Sequence, residues 1–307
     1  MIETGINSIG LMRFLVQLAA ATAAALALWG FIFSFVNIKI AKFIARLFLA
    51  ALGFLGIAWF LTAIIYFPPA ALAHEGIAIG PINEFIQNGF NLNFWLIAVL
   101  LIFNIIFARK KLRLFFLVNF SILFLFLTFT TWTGFWGKEQ LFFSLHNIHS
   151  IFTLGSVVTV DILYLLSLKK KDWAPIIYKI FPAMSAVIWA GLGIDFLSVF
   201  LALPETLVLT PQFYFSQIVV AIIILNGAMF SGKINDILAR LKQLSPGKRE
   251  LIHLFGAVSI ASWLSITFAD FFEFSASLVF MFSVYAIFII LAFIAHKLIL
   301  RLIKAGG

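Results

Sequence analysis

Two histidines three residues apart, His146 and His149, lie inside an apolar stretch, Leu141–Leu168, that also carries Asp161. Three residues is close to one helical turn, so both imidazoles fall on one helix face. Imidazole with carboxylate is a ligand set for a borderline divalent metal such as copper, zinc or iron, and equally a proton-relay set. The stretch exceeds the ~20 apolar residues that cross a bilayer. Ionisable groups at that depth are costly and mark functional sites. Asp195, near the far end of the next apolar stretch, and His74, in a polar segment, are expected to complete or orient the metal set.

Three other groups compete for a role. Asp161 and Asp195 are candidate coupling carboxylates for transport. For Asp161 the plainer expectation is a structural ion pair with Lys179, its long stem reaching out toward the interface. His253 and His296, on consecutive apolar stretches, have the arrangement of haem b ligands, the plainer expectation being two interfacial residues.

The elements that must hold these residues follow from composition. The chain is 64% hydrophobic and 11% charged, with a mean hydropathy of +1.13. Soluble domains have about 25% charged residues, so this is an all-α, multi-pass integral membrane protein without a large soluble domain. The net charge of +9 sits in short clusters between apolar runs, as topology signals do, so nucleic acid is not an expected partner. With no cysteine, disulfides, thiolate metal sites, iron–sulfur clusters and covalent haem are excluded.

Span length predicts nine crossings, at roughly 14–37, 47–68, 93–108, 114–135, 141–168, 176–203, 211–231, 251–270 and 274–300. The first reads as an uncleaved anchor rather than a secretory signal. Positive charge falls after every second span: Lys39, Lys42 and Arg46; Arg109–Lys111 and Arg113; Lys169–Lys171; Lys233 to Arg249; Lys297, Arg301 and Lys304. Cytoplasmic loops carry the Lys/Arg excess, so the N-terminus is expected outside and the C-terminus in the cytoplasm. That topology gathers His74, His146, His149 and Asp195 at the outer face, with Thr128–Thr133, Trp132, Trp136, Asp270 and Glu273. A short interfacial helix is expected near Ile82–Asn88. Ala71–Gly76 reads as a loop with the look of a cleavage site, and an amphipathic helix is expected after Lys233. Small residues at Gly155-Ser156, Ala190–Gly193, Asn226–Ala228 and Gly256-Ala257 predict close packing in the last five spans. The expected division is a four-span region, 1–140, and a five-span module, 141–307.

The C-terminal half resembles the copper-resistance D-type family of bacterial membrane proteins and their uncharacterised relatives. The resemblance rests on His146 and His149 at a span start, Trp189-Ala190-Gly191 in the next span, the Gln217–Gly227 span ending in Lys233, and the Gly256–Trp263 span. It implies copper handling on the periplasmic face of a prokaryotic cytoplasmic membrane.

Two function classes follow from these residues. One is metal (copper-type) or haem handling at the outer histidines. The other is a secondary transporter for a small ion or molecule, using Asp161 and Asp195. A membrane scaffold without chemistry is the third reading. No nucleophile–base pair or phosphate-binding motif points to an enzyme.

Overall fold

The computed structural model describes residues 8–66, 98–104, 106–107, 111–129, 145, 149, 151–202, 210–231, 245–269 and 277–305. Among these residues the protein is helical, with no strand. Seven helices are long and apolar enough to cross a membrane. They answer to seven of the nine expected spans. The fourth expected span is the shorter helix Leu112–Phe129. The third is described only at 98–104 and 106–107, which are helical. The Ala71–Gly76 segment, the Ile82–Asn88 helix and the amphipathic helix after Lys233 lie outside the described residues.

The chain divides into two compact units, and the division falls inside the fifth span, after Ser156. The first unit comprises Met12–Ser156 and Gly191–Ala202. It holds α1 (Ser8–Val36), α2 (Ile38–Tyr66), α3 (Leu112–Phe129) and a π-helical turn, Ile151–Gly155. Its most enclosed span is α1, with 67% of its apolar window buried against 28% for α2. Alanine makes this possible. Ala20, Ala21, Ala23, Ala24, Ala25 and Ala27 are fully buried, and small side chains let helices approach closely without an apolar driving force. A Cβ on Gly155 would overlap the carbonyl group of Ala21, so glycine is required at that approach.

A single residue separates α1 from α2. Asn37 caps α2, its Oδ1 accepting from the backbone N–H of Lys39 (3.0 Å) and Ile40 (3.1 Å). Lys39, Lys42 and Arg46, expected in a loop, therefore lie in the first turns of α2. They are exposed, while Ile40, Ala41, Ile44 and Phe48 on the other face are buried. Asn104 and Asn119 are both fully buried and pair through their amides in both directions, at 3.0 and 2.7 Å. The second amide hydrogen of Asn119 goes to the Phe115 carbonyl at 2.6 Å.

The second unit comprises Met1–Leu11, Val157–Ala190 and Leu203–Gly307. It is built from α4 (Ser156–Lys169), α5 (Ala174–Ala202, up to Ala190), α6 (Pro211–Ser231), α7 (Pro246–Ala269) and α8 (Leu278–Ala305). Helices α6 and α7 begin with proline at the first helical position, where no N–H is needed. Thr210 and Ser277 cap α6 and α8. Helix α7 packs against both α6 and α8. Asn226 on α6 donates to the Phe255 carbonyl on α7 at 3.1 Å, and Ser262 on α7 meets Tyr285 OH on α8 at 2.8 Å. A Cβ on Gly227 would stand 2.9 Å from the Trp189 ring, so the small residues at 226–228 do mark close packing. Helix α8 turns Ile287, Ile290, Leu291, Ile294 and Leu298 outward at helical spacing, the stripe that a lipid-facing helix presents.

The amide pair generates a prediction. Asn119→Leu leaves Asn104 buried without its partner, whereas Asn104→Leu with Asn119→Leu removes both polar groups. A double-mutant cycle on unfolding in detergent is expected to give a coupling energy of ~1 kcal/mol, within the range of interhelical hydrogen bonds in membranes.

Candidate functional site

The first site grows from one glycine. In Gly191 of α5 a Cβ would lie 2.5 Å from Thr153 Cγ2 and 2.9 Å from Phe152 Cβ, so the backbones come into close contact there. Four residues before Thr153 is His149, and four residues after Gly191 is Asp195. The two segments meet at Thr153–Gly191 and again, one turn further along each, at His149–Asp195. His149 Nδ1 stands 3.2 Å from Asp195 Oδ1. The side chains are 10% and 18% exposed, so the pair is largely removed from solvent. A carboxylate that accepts from Nδ1–H fixes a proton on that nitrogen and orients the ring.

Two residues beyond His149 the backbone departs from α-helix. Ile151–Gly155 forms a π-helical turn, a rare feature found frequently at functional sites. Thr153 Oγ1 donates to the His149 carbonyl at 2.6 Å. The turn ends at Ser156, whose hydroxyl accepts from Trp29 Nε1 on α1 at 3.0 Å, both residues fully buried. His149 is therefore held from both sides, by its partner carboxylate and by an anchored turn beneath it.

The remaining candidates divide. His74 and His146, with Thr130–Thr133, Trp136, Asp270 and Glu273, lie outside the described residues. The expected Asp161–Lys179 ion pair does not form: Lys179 is exposed, and Asp161 Oδ2 is buried with no hydrogen-bond partner among the described residues. The reason is geometric. Lys179 points away from the side of α5 on which Ile177, Ile180 and Phe181 are buried. His253 and His296 do meet across α7 and α8, but as a hydrogen-bonded pair, Nδ1 to Nε2 at 2.8 Å. Two imidazole nitrogens on either side of a shared metal stand about 4 Å apart, from bonds of ~2.0–2.1 Å each, so these two nitrogens bond to one another instead.

Among the described residues, no group of three or more His, Cys, Asp or Glu side chains could hold a metal ion. His149 and Asp195 supply two donors. Sequence reasoning passed over Tyr164, although it lies three residues from Asp161, the same spacing that singles out His146 and His149. It also passed over Asn104 and Asn119, whose partnership across distant positions no local pattern reveals.

No protein-family model matches the chain, and neither does a curated protein or a solved structure.

The close approach predicts a sharp contrast between two glycines two residues apart. Gly191→Val overpacks the contact with Thr153 and is expected to lower stability by ~1–3 kcal/mol in detergent unfolding. Gly193→Val, whose Cβ would meet nothing within 4 Å, is expected to leave the unfolding midpoint unchanged.

Proposed function

We propose that the protein is a secondary transporter that moves a small ion or molecule across the bilayer with protons as the coupling ion. The coupling element in this reading is the His149–Asp195 pair. One observation carries it: an imidazole and a carboxylate at 3.2 Å, largely shielded, with Asp195 inside a helix long and apolar enough to cross a membrane and His149 two residues before the start of another. Such groups are expensive at that depth, and membrane proteins use them as ion pathways and proton relays. The pair has two protonation states that differ by a full charge, and a neighbouring π-helical turn on which that charge can act.

The arrangement proposed has nine spans, with the N-terminus outside. Its support is the alternation of positive charge after every second span. Seven long helices, the shorter Leu112–Phe129 helix and the helical residues 98–104 and 106–107 accommodate that number. In this topology His149 and Asp195 lie toward the outer ends of their spans, where an outside solute and its proton arrive together. The membrane is then the prokaryotic cytoplasmic membrane.

A second reading is metal handling of the copper type, and the same distance favours it. Bonds of ~2.1 Å at angles of 90–109° place two ligands of one ion ~3.0–3.4 Å apart, and His149 Nδ1 and Asp195 Oδ1 stand at 3.2 Å. His146 and His74 would then complete the ligand set.

Two measurements separate the readings. The first is reconstitution into vesicles with a pH dye inside, challenged with gradients of monovalent and divalent cations, amino acids and organic cations. At least one gradient is expected to move protons, and Asp195→Asn and His149→Gln are expected to abolish that movement while helical content is retained. Undiminished proton movement in Asp195→Asn removes the pair from the mechanism. The second is elemental analysis with a visible spectrum of the purified protein. Near-stoichiometric copper, zinc or iron that is lost in His149→Ala favours metal handling over transport, and folded protein free of metal and of a haem band dismisses it.

A further inference from the structure

The second unit contains a polar succession of its own, built on α4, α7 and α8. Asp161 and Tyr164 lie three residues apart on α4, on one face and within electrostatic reach of each other. Asp161 Oδ2 and the Tyr164 hydroxyl are buried, and neither has a hydrogen-bond partner among the described residues. The large majority of buried side-chain polar atoms are satisfied, by protein groups or by ordered water. The Tyr164 ring lies parallel to the His296 imidazole, with 9° between planes and 6.3 Å between centroids. His296 Nε2 is hydrogen-bonded to His253 Nδ1 at 2.8 Å. One turn before His253 is Glu250, and beside His296 is Lys297. These two form an ion pair at 2.9 Å, about half exposed on each side (54% and 41%).

Read along the helices, the succession runs from a buried carboxyl to an exposed ion pair. Lys169–Lys171 follow Tyr164 at the end of α4, Lys248 precedes His253 in the first turn of α7, and Arg301 follows His296 in the last turns of α8. The other titratable groups facing it are Tyr178, whose hydroxyl is bonded to Ser167 at 3.0 Å, and Glu250, within electrostatic reach of His296. Lys179 does not face it. An apolar packing surface needs none of these groups, and a structural ion pair would need a cation at Asp161.

We propose that Asp161, Tyr164, His296 and His253 form a proton path between the interior of this unit and its Lys/Arg-rich end, with water as its bound ligand. A proton taken up at the exposed end protonates His253. Its Nδ1 proton passes across the 2.8 Å hydrogen bond to His296 Nε2, and His296 releases the proton from its other nitrogen to water. Water bridging the Tyr164 hydroxyl and Asp161 Oδ2 satisfies both buried oxygens, and delivers the proton to the carboxylate as Tyr164 takes one proton and gives up another. Each step moves one proton and leaves every group but Asp161 as it began, once the imidazoles return to their starting tautomers. No bond to carbon changes and no electron is transferred. The path rests on and deepens the proton-coupled reading above.

The test needs no transported solute, so it succeeds or fails apart from the transport assay. The protein in a lipid film is subjected to a pH jump and followed by time-resolved infrared absorption in the carboxylic-acid region. A band that appears on acidification in the wild type and is missing in Asp161→Asn identifies protonation of Asp161. Tyr164→Phe keeps the ring stacked on His296 and removes only the hydroxyl. His296→Gln keeps a hydrogen-bonding side chain and removes the relay. Both are expected to retain the band's final amplitude but slow its appearance by ~100-fold, the lower end of what a positioned proton-transfer group contributes. A merely structural role would move the unfolding midpoint and leave that rate unchanged. Wild-type rates in both variants, or a band that follows sodium concentration instead of pH, overturn the proposal. If Asp161→Asn does not fold, the rate in Tyr164→Phe still decides.

Discussion

A bilayer interior offers no water, so each polar group placed there either finds a protein partner or keeps the full penalty of desolvation. That constraint governs both units. The backbone meets it by forming helices, with short turns and caps between them, across the described residues. The side chains meet it in pairs: Asn104 with Asn119, Trp29 with Ser156, Ser262 with Tyr285, Ser167 with Tyr178. These pairs join separate helical segments, and they tie helices together where lipid supplies no hydrophobic drive to do so.

Close approach is the second half of the same physics. Hydrogen bonds between helices require backbones near enough for short side chains to meet. The buried alanines of α1, and Gly155 against Ala21, allow this in the first unit. Gly191 against Thr153 then sets the distance at which His149 and Asp195 face each other one turn away. In the second unit Gly227 against Trp189 has the equivalent role, beside the Asn226–Phe255 hydrogen bond. The small residues are thus the positioning elements, and the ionisable residues are what they position.

Against this background of satisfied pairs, the exceptions are informative. Asp161 and Tyr164 keep buried oxygens without hydrogen-bond partners, and they sit next to a histidine pair that leads toward an exposed ion pair. Asn226 Oδ1 and Ser265 Oγ are likewise buried without a hydrogen-bond partner among the described residues, but neither is ionisable as a carboxyl is. His149 and Asp195 differ in kind. They are partnered to each other, yet both are ionisable, and a neutral pair such as Asn104–Asn119 would tie the same segments together at less cost.

The amino-acid sequence determined the class of this protein, most of its spans and the residues worth examining. Hydropathy sums over some twenty positions, and the penalty for an unpaired backbone group in hydrocarbon leaves helix as the outcome, so these features are local and additive. Of the small residues expected at close approaches, Gly155, Gly191 and Gly227 are at such contacts, whereas Gly193 and Gly256 face open space, because which side of a helix meets a neighbour is set by packing. Partnership was not legible. Lys179 is closer in sequence to Asp161 than His296 is, yet α5 turns Lys179 outward while α4 and α8 bring Tyr164 against His296. His253 and His296 were visible as two histidines on consecutive spans, but whether they are held apart or bonded depends on the depth and rotation of α7 against α8. Those quantities arise from packing many side chains at once, and only the tertiary structure decides them.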